Sequence, residues 1–382
     1  MPYDPFALGP YPVEVRTTEA HDTARDRRFP FEIWHPGQPG PLIVYSHASG
    51  LHRRAATFLT RHLASHGYLV AALDHSEVVA PELRRPDAET PEHRARRIEE
   101  VVGGRVPDIQ FLMGFLGDAD RVGLVGHSFG GWAVLATPEV DARVASVVAL
   151  APGGGEPGRP GLLPLTLHFR WGREVPALYL VGDADVPTPP EDVCRLFDRT
   201  PSAKRIFVLR DADHQHFLDD VGAVHEAARA MEFPPEARWI TESMRPIGEL
   251  CTEADAHAFT RGLTLAHFDA TLRGDEAAER FLSADAPAAL AARGIDLVDG
   301  WFCPSRSGYR GRMTGTPAAE HPLPPIADRQ TWYEFDGGAQ PMRGRHLGEG
   351  SELIETAAAV GIDADGVEDR RADLGHRIHL RL

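Results

Sequence analysis

The chain has 382 residues, 42% of them apolar and 25% charged, with 40 Lys plus Arg against 56 Asp plus Glu and a formal net charge of -16. That length suits one large core with a smaller piece attached, and it excludes a peptide or a disulfide-stapled module. The negative balance disfavours nucleic acid and anionic lipid as partners, and no apolar run approaches the roughly 20 residues of a bilayer span.

In chain order, residues 13–17 and 31–34 predict an entry pair of strands, each short and bounded by Pro, Gly or charged residues. Nearly continuous apolar runs follow at 42–46, 69–73, 122–125, 144–150, 177–181 and 206–209, the pattern of strands buried on both faces. Helical spacing separates them. Phe58, Leu59 and Leu63 mark a helix over 55–66, and Thr90 followed by Pro91 opens another that is expected to run to about Val102. Its Arg94, Arg96 and Arg97 are read as a solvated face. Alternating strands and helices predict an α/β fold with a mostly parallel twisted sheet.

Two connections, 75–117 and 151–176, exceed the usual loop length of about 2–6 residues. The second carries Leu162, Leu163, Leu165, Leu167, Phe169 and Trp171, so it is a candidate lid or acyl pocket, with filling of the core as the alternative. Phe169 and Trp171 are taken as candidate substrate-binding residues. Trp132 is read as core. After about residue 284 the texture becomes Pro- and Gly-rich with scattered aromatics (Trp301, Phe302, Trp332, Tyr333, Phe335), which divides the chain into a catalytic domain, 1–282, and an appendage packed on it, 283–382. The three cysteines, Cys194, Cys251 and Cys303, form no C-x-x-C pair and read as reduced thiols. No basic segment followed by an apolar one opens the chain, so the cytoplasm is the expected compartment.

The chemistry concentrates in R-V-G-L-V-G-H-S-F-G-G-W-A-V-L, residues 121–135. A buried strand enters G-H-S-F-G and a helical pattern leaves it, the context of a nucleophile elbow, in which glycines let the chain reverse so that Ser128 projects alone above a helix N-terminus. A serine hydroxyl needs a histidine base and a carboxylate to orient it. Asp183 and Asp185 follow the strand 177–181, and His214 and His216 follow the strand 206–209, so the order Ser, acid, His is available at one sheet edge. Asp211, Asp213, His214 and His216 have no further ligand cluster to join, so no metal is expected, and nothing in the chain calls for a cofactor.

Four ordered segments, P-L-I-V-Y-S-H-A-S-G (41–50), L-A-S-H-G-Y-L-V-A-A-L-D-H (63–75), G-H-S-F-G-G (126–131) and D-H-Q-H-F (213–217), resemble the α/β-hydrolase superfamily. More narrowly they are similar to the branch of platelet-activating-factor acetylhydrolases, dienelactone-hydrolase-like esterases and bacterial polyester hydrolases, over roughly residues 11–275. The resemblance implies an α/β-hydrolase fold with loop insertions, Ser128 as nucleophile and His214 as base. It favours Asp185 over Asp183 as the acid, through the bacterial pattern G-x-x-D. It also implies an oxyanion hole from the backbone N-H groups of Phe129 and Ser49, although Ala48 stands where the family usually has glycine. The function so implied is hydrolysis of small carboxylic esters, with short acyl chains, through an acyl-enzyme. An acyltransferase or thioesterase with the same triad, and a non-catalytic binding protein on the same fold, remain alternatives, and the oligomeric state is open.

Overall fold

Eight strands form one sheet: β1 (Glu14–Asp22), β2 (Arg27–His35), β3 (Leu42–Ser46), β4 (Leu69–Leu73), β5 (Val122–His127), β6 (Val144–Leu150), β7 (Ala177–Gly182) and β8 (Lys204–Leu209). The structure is a computed structural model that describes residues 3–298 except 87, 118 and 156–158. Spatial order is β1-β2-β4-β3-β5-β6-β7-β8. β2 is antiparallel to β1 and β4, and the remaining pairs are parallel. Every residue of β3, β4, β5 and β7 is buried, as their unbroken apolar runs require when helices cover both faces. This is the α/β-hydrolase fold that the motifs implied.

The helices are α1 (Thr57–Ser65), α2 (Ser76–Val79), α3 (Pro91–Leu116), α4 (Phe129–Ala136), α5 (Pro190–Arg199), α6 (Val221–Arg229), α7 (Trp239–Glu242), α8 (Glu253–Leu272), α9 (Glu276–Arg280) and α10 (Ala286–Ala291). Two apolar clusters sandwich the sheet: one takes its helical residues chiefly from α3, α4 and α5, the other from α1, α8 and α10. Residues 283–298, the first part of the expected appendage, pack against the second face. There Ala286, Leu290 and Ile295 join the cluster, and Leu297 bridges to Leu209 at the end of β8. Residues 299–382, with Trp301, Phe302, Trp332, Tyr333 and Phe335, lie outside the described residues.

α3 departs from expectation by continuing to Leu116 through Gly103, Gly104 and Pro107. A buried stripe of Ile98, Val101, Ile109, Leu112, Met113 and Leu116 offsets the poor helix formers. Gly104 has a packing reason, since a Cβ there would sit 3.3 Å from the Ser76 Cβ where α3 crosses α2. Arg97, expected on a solvated face, is buried and paired with Glu89 at 2.8 Å. The cysteine reading is also corrected: Cys251 is a free thiol, whereas Cys194 is disulfide-bonded. Among the described residues no helix is long and apolar enough to cross a membrane.

The sheet order itself selects a site. β3 lies between β4 and β5, so the connections leaving the carboxyl ends of β3 and β5 part there and open a crevice, the usual ligand position in an open α/β sheet.

Candidate active site

Ser128 follows β5 directly and precedes α4, with φ 57° and ψ -114°, a conformation that non-glycine residues rarely adopt. The turn is held by backbone hydrogen bonds. Ser128 N-H donates to the Leu150 carbonyl at 2.9 Å, and the Ser128 carbonyl accepts from Trp132 and Gly153. Two glycines make it possible. A Cβ on Gly126 would lie 2.3 Å from the Gly130 carbonyl oxygen, and one on Gly130 would lie 2.1 Å from the Ser46 carbonyl oxygen, so both positions exclude a side chain.

His214 begins a short 3-10 turn over residues 214–217. Asp213 caps that turn by accepting from the Gln215 N-H at 2.9 Å, and its carboxylate also meets the imidazoles of His216, at 2.7 Å, and His225. The D-H-Q-H-F segment is thus a small scaffold for presenting His214. On the other side, His214 Nδ1-H donates to Asp185 Oδ2 at 2.8 Å. Burial disfavours the His214 imidazolium, but the charge and hydrogen bond of Asp185 outweigh it, so the group is raised above the ordinary histidine value. His127 lies with its ring centroid 4.6 Å from that of His214, and burial first, then His214, holds it well below the ordinary value and neutral.

The two candidate acids part company here. Asp183 accepts the Asp211 N-H at 2.6 Å and belongs to the turn after β7, whereas Asp185 is buried against His214. Thr188, not singled out from the sequence, holds Asp185: its N-H donates to Oδ1 at 2.7 Å, and its hydroxyl lies 3.0 Å from Oδ2 and 3.1 Å from the Ala151 carbonyl oxygen. The T-P that follows D-A-D-V-P was the available sequence signal, a threonine three residues after a carboxylate in the pattern of a side-chain turn.

Ser128, His214, Phe129 and Ser49 all line one small cavity, of about 70 Å³. Phe129 is the first residue of α4, whose N-H has no carbonyl a turn earlier to meet. No acceptor among the described residues meets the Ser49 N-H. Ala48, standing where glycine was expected, is not among the residues of positive φ, so it sits there without backbone strain.

The cavity wall also includes Pro152, the Gly153–Gly155 run, Gly161, Leu162, Leu163, Leu165 and Pro187, with Thr188 and Asp192 as its further polar members. The long loop 151–176 therefore reaches the site, but not through the two residues named for it. Phe169 and Trp171 are buried away from the cavity in the first apolar cluster, their rings 5.6 Å apart, with the Trp171 indole N-H donating to the Leu135 carbonyl at 3.1 Å. Phe169 takes φ 57°, in the left-handed region that non-glycine residues rarely adopt. Trp132 is buried, as read, with its indole N-H donating to the Thr166 carbonyl at 2.9 Å.

A family model described as platelet-activating factor acetylhydrolase, isoform II, matches residues 30–99. The platelet-activating factor acetylhydrolase of Bos taurus is 25% identical over 229 residues, covering 48% of this chain and 49% of that protein. The one from Cavia porcellus is 30% identical over 156 residues, 30% of this chain and 36% of that protein. The chain thus spans half or less of the length of these curated relatives. A solved ferulic acid esterase from Streptomyces cinnamoneus superposes with a TM-score of 0.49 at 23% identity, over 69% of this chain and 91% of that chain. The sequence similarity falls in the serine-esterase branch that the four motifs resemble.

Proposed function

We propose that this α/β-hydrolase-fold protein is a serine esterase that cleaves small carboxylic esters through an acyl-enzyme on Ser128. The observation that carries the reading is the meeting, on one cavity, of a serine in a strained strand-to-helix turn with a histidine whose Nδ1 is committed to a buried aspartate. With Nδ1 occupied, Nε2 is the nitrogen left to serve Ser128. His214 takes the Ser128 proton as Oγ attacks the acyl carbon, and the N-H groups of Phe129 and Ser49 receive the oxyanion. Collapse expels the alcohol with that proton, water repeats the attack on the acyl-enzyme with His214 again as base, and the carboxylic acid leaves.

The size of the cavity, about 70 Å³ with Leu162, Leu163 and Leu165 in its wall, supports a preference for short acyl chains. The compartment is a separate matter: the Cys194 disulfide favours an oxidising environment over the expected cytoplasm.

The test is hydrolysis of p-nitrophenyl esters of increasing acyl length by the wild type and Ser128→Ala. The expected result is a rate peaking at short chains and lost by up to about 10⁶-fold in the variant. Equal rates in the two proteins would overturn the reading.

A further inference from the structure

Arg105 lies in α3, contacts neither Ser128 nor His214 among the described hydrogen bonds, and is nevertheless one of the largest fully buried side chains. An unpaired guanidinium would be strongly disfavoured there, so its partners show what it is for. Glu77 supplies the counter-charge. Nη1-H donates to the His47 carbonyl at 2.6 Å, and Nη2-H donates to the Ala48 carbonyl at 3.2 Å. The guanidinium lies over the Phe129 ring, with Cζ 4.2 Å from its centroid. One buried cation therefore touches both segments that carry the expected oxyanion donors.

We infer that Arg105 is the positioning residue of the oxyanion hole, setting the direction of the Ser49 N-H by holding the carbonyl of the same peptide. A trans peptide is planar, with its C=O and N-H pointing in opposite directions, so fixing the Ala48 carbonyl fixes the Ser49 N-H. The Ala48 carbonyl is held three ways on the interior side, by Arg105, by the Leu51 N-H at 3.3 Å, and by His47 Nδ1-H at 2.7 Å. The His47 tautomer is determined by its other nitrogen, since Nε2 accepts the His75 N-H at 3.1 Å and so cannot carry the proton. With three donors drawing the carbonyl inward, the Ser49 N-H turns outward, and Ser49 lines the cavity. The same guanidinium bears on Phe129, the residue of the second donor. An oxyanion hole works by donors already in place before charge develops, which is what a rigid buried fork provides and a flexible ammonium does not.

This inference rests on the esterase reading of the cavity, and the experiment separates the two. Wild type, Arg105→Lys and the double variant Arg105→Met with Glu77→Gln, which leaves no buried charge unpaired, are compared on a short p-nitrophenyl ester. Rates are normalised to sites titrated with a fluorophosphonate, so that unfolded protein does not count. The expected result is a fall in kcat of about 10²-fold in the double variant with KM nearly unchanged, and partial recovery in Arg105→Lys. Affinity for a trifluoromethyl ketone, whose adduct places an anionic oxygen in the hole, falls by the same factor. An unchanged kcat per titrated site, or a loss of kcat without loss of ketone affinity, overturns the role of Arg105. Wild-type protein without Ser128-dependent hydrolysis or labelling overturns the esterase reading itself, and this inference with it.

Discussion

Thr188 closes around the carboxylate of Asp185, its N-H on one oxygen at 2.7 Å and its hydroxyl beside the other at 3.0 Å. A carboxylate held on both oxygens can orient an imidazole without wandering. Replacing it should therefore be felt far more than replacing the aspartate two residues earlier. Asp185→Asn is expected to lower kcat by on the order of 10⁴-fold, while Asp183→Asn stays within about tenfold of wild type. Steady-state rates on one short ester decide it, and the reverse ranking would assign the acid to Asp183.

The raised His214 sets a pH limb. Below its folded value the imidazole is protonated and cannot accept the Ser128 proton, so kcat/KM should rise with pH along a limb whose midpoint lies above the ordinary 6.5. Removing the Asp185 charge leaves burial as the main influence, and burial disfavours the imidazolium. The midpoint in Asp185→Asn should accordingly move down. Profiles of kcat/KM for both proteins test this, and coincident midpoints would mean that Asp185 does not govern the titration.

Loop 151–176 divides into wall and anchor. Trp171→Ala empties a buried indole site and should cost about 3–5 kcal/mol of stability by denaturant unfolding, with kcat per titrated site close to wild type. Leu163→Ala, at a half-buried wall position, should do the opposite, costing little stability and moving the preferred acyl length upward. A change of chain-length preference in Trp171→Ala would return that residue to the binding surface.

Ending the chain at residue 282 removes Ala286, Leu290 and Ile295 from the second apolar face. Each buried Leu or Ile contributes about 1.5–3 kcal/mol, a large part of an ordinary net stability of about 5–15 kcal/mol. The shortened protein is expected to melt well below the full chain or to be recovered insoluble. Equal melting temperatures would show that the catalytic unit closes without this segment.

What the sequence disclosed follows from where the information resides. β3, β4 and β6 are found with their observed ends because strands buried on both faces must be apolar throughout. Ser128, Asp185 and His214 are legible as candidates because each stands just past a strand, β5, β7 and β8 in turn. β8, at the end of the sheet, is half-buried over residues 204–207 rather than covered on both faces as its apolar run suggested. The direction of Phe169 and Trp171 was not legible, because loop side chains take their orientation from the surface they land on. α3 passed a Gly-Gly and a proline that locally argue for an end, and only its buried partners explain its length. Arg105 was not singled out, since it lies past the expected helix end at about Val102 and a single buried cation has no periodic signal.

The contact at Gly130 has a further consequence. The distance between the nucleophile turn and the end of β3 is set by main chain against main chain, with no side chain between them to exchange. On the esterase reading, substitution at Leu162, Leu163 or Leu165 can therefore reshape the cavity wall while the spacing of attacking oxygen and hydrogen-bond donors is left as it was. Selectivity and reactivity are then separately adjustable, provided that Pro152 and Gly153, which touch the Ser128 turn and the helix after it, are left alone.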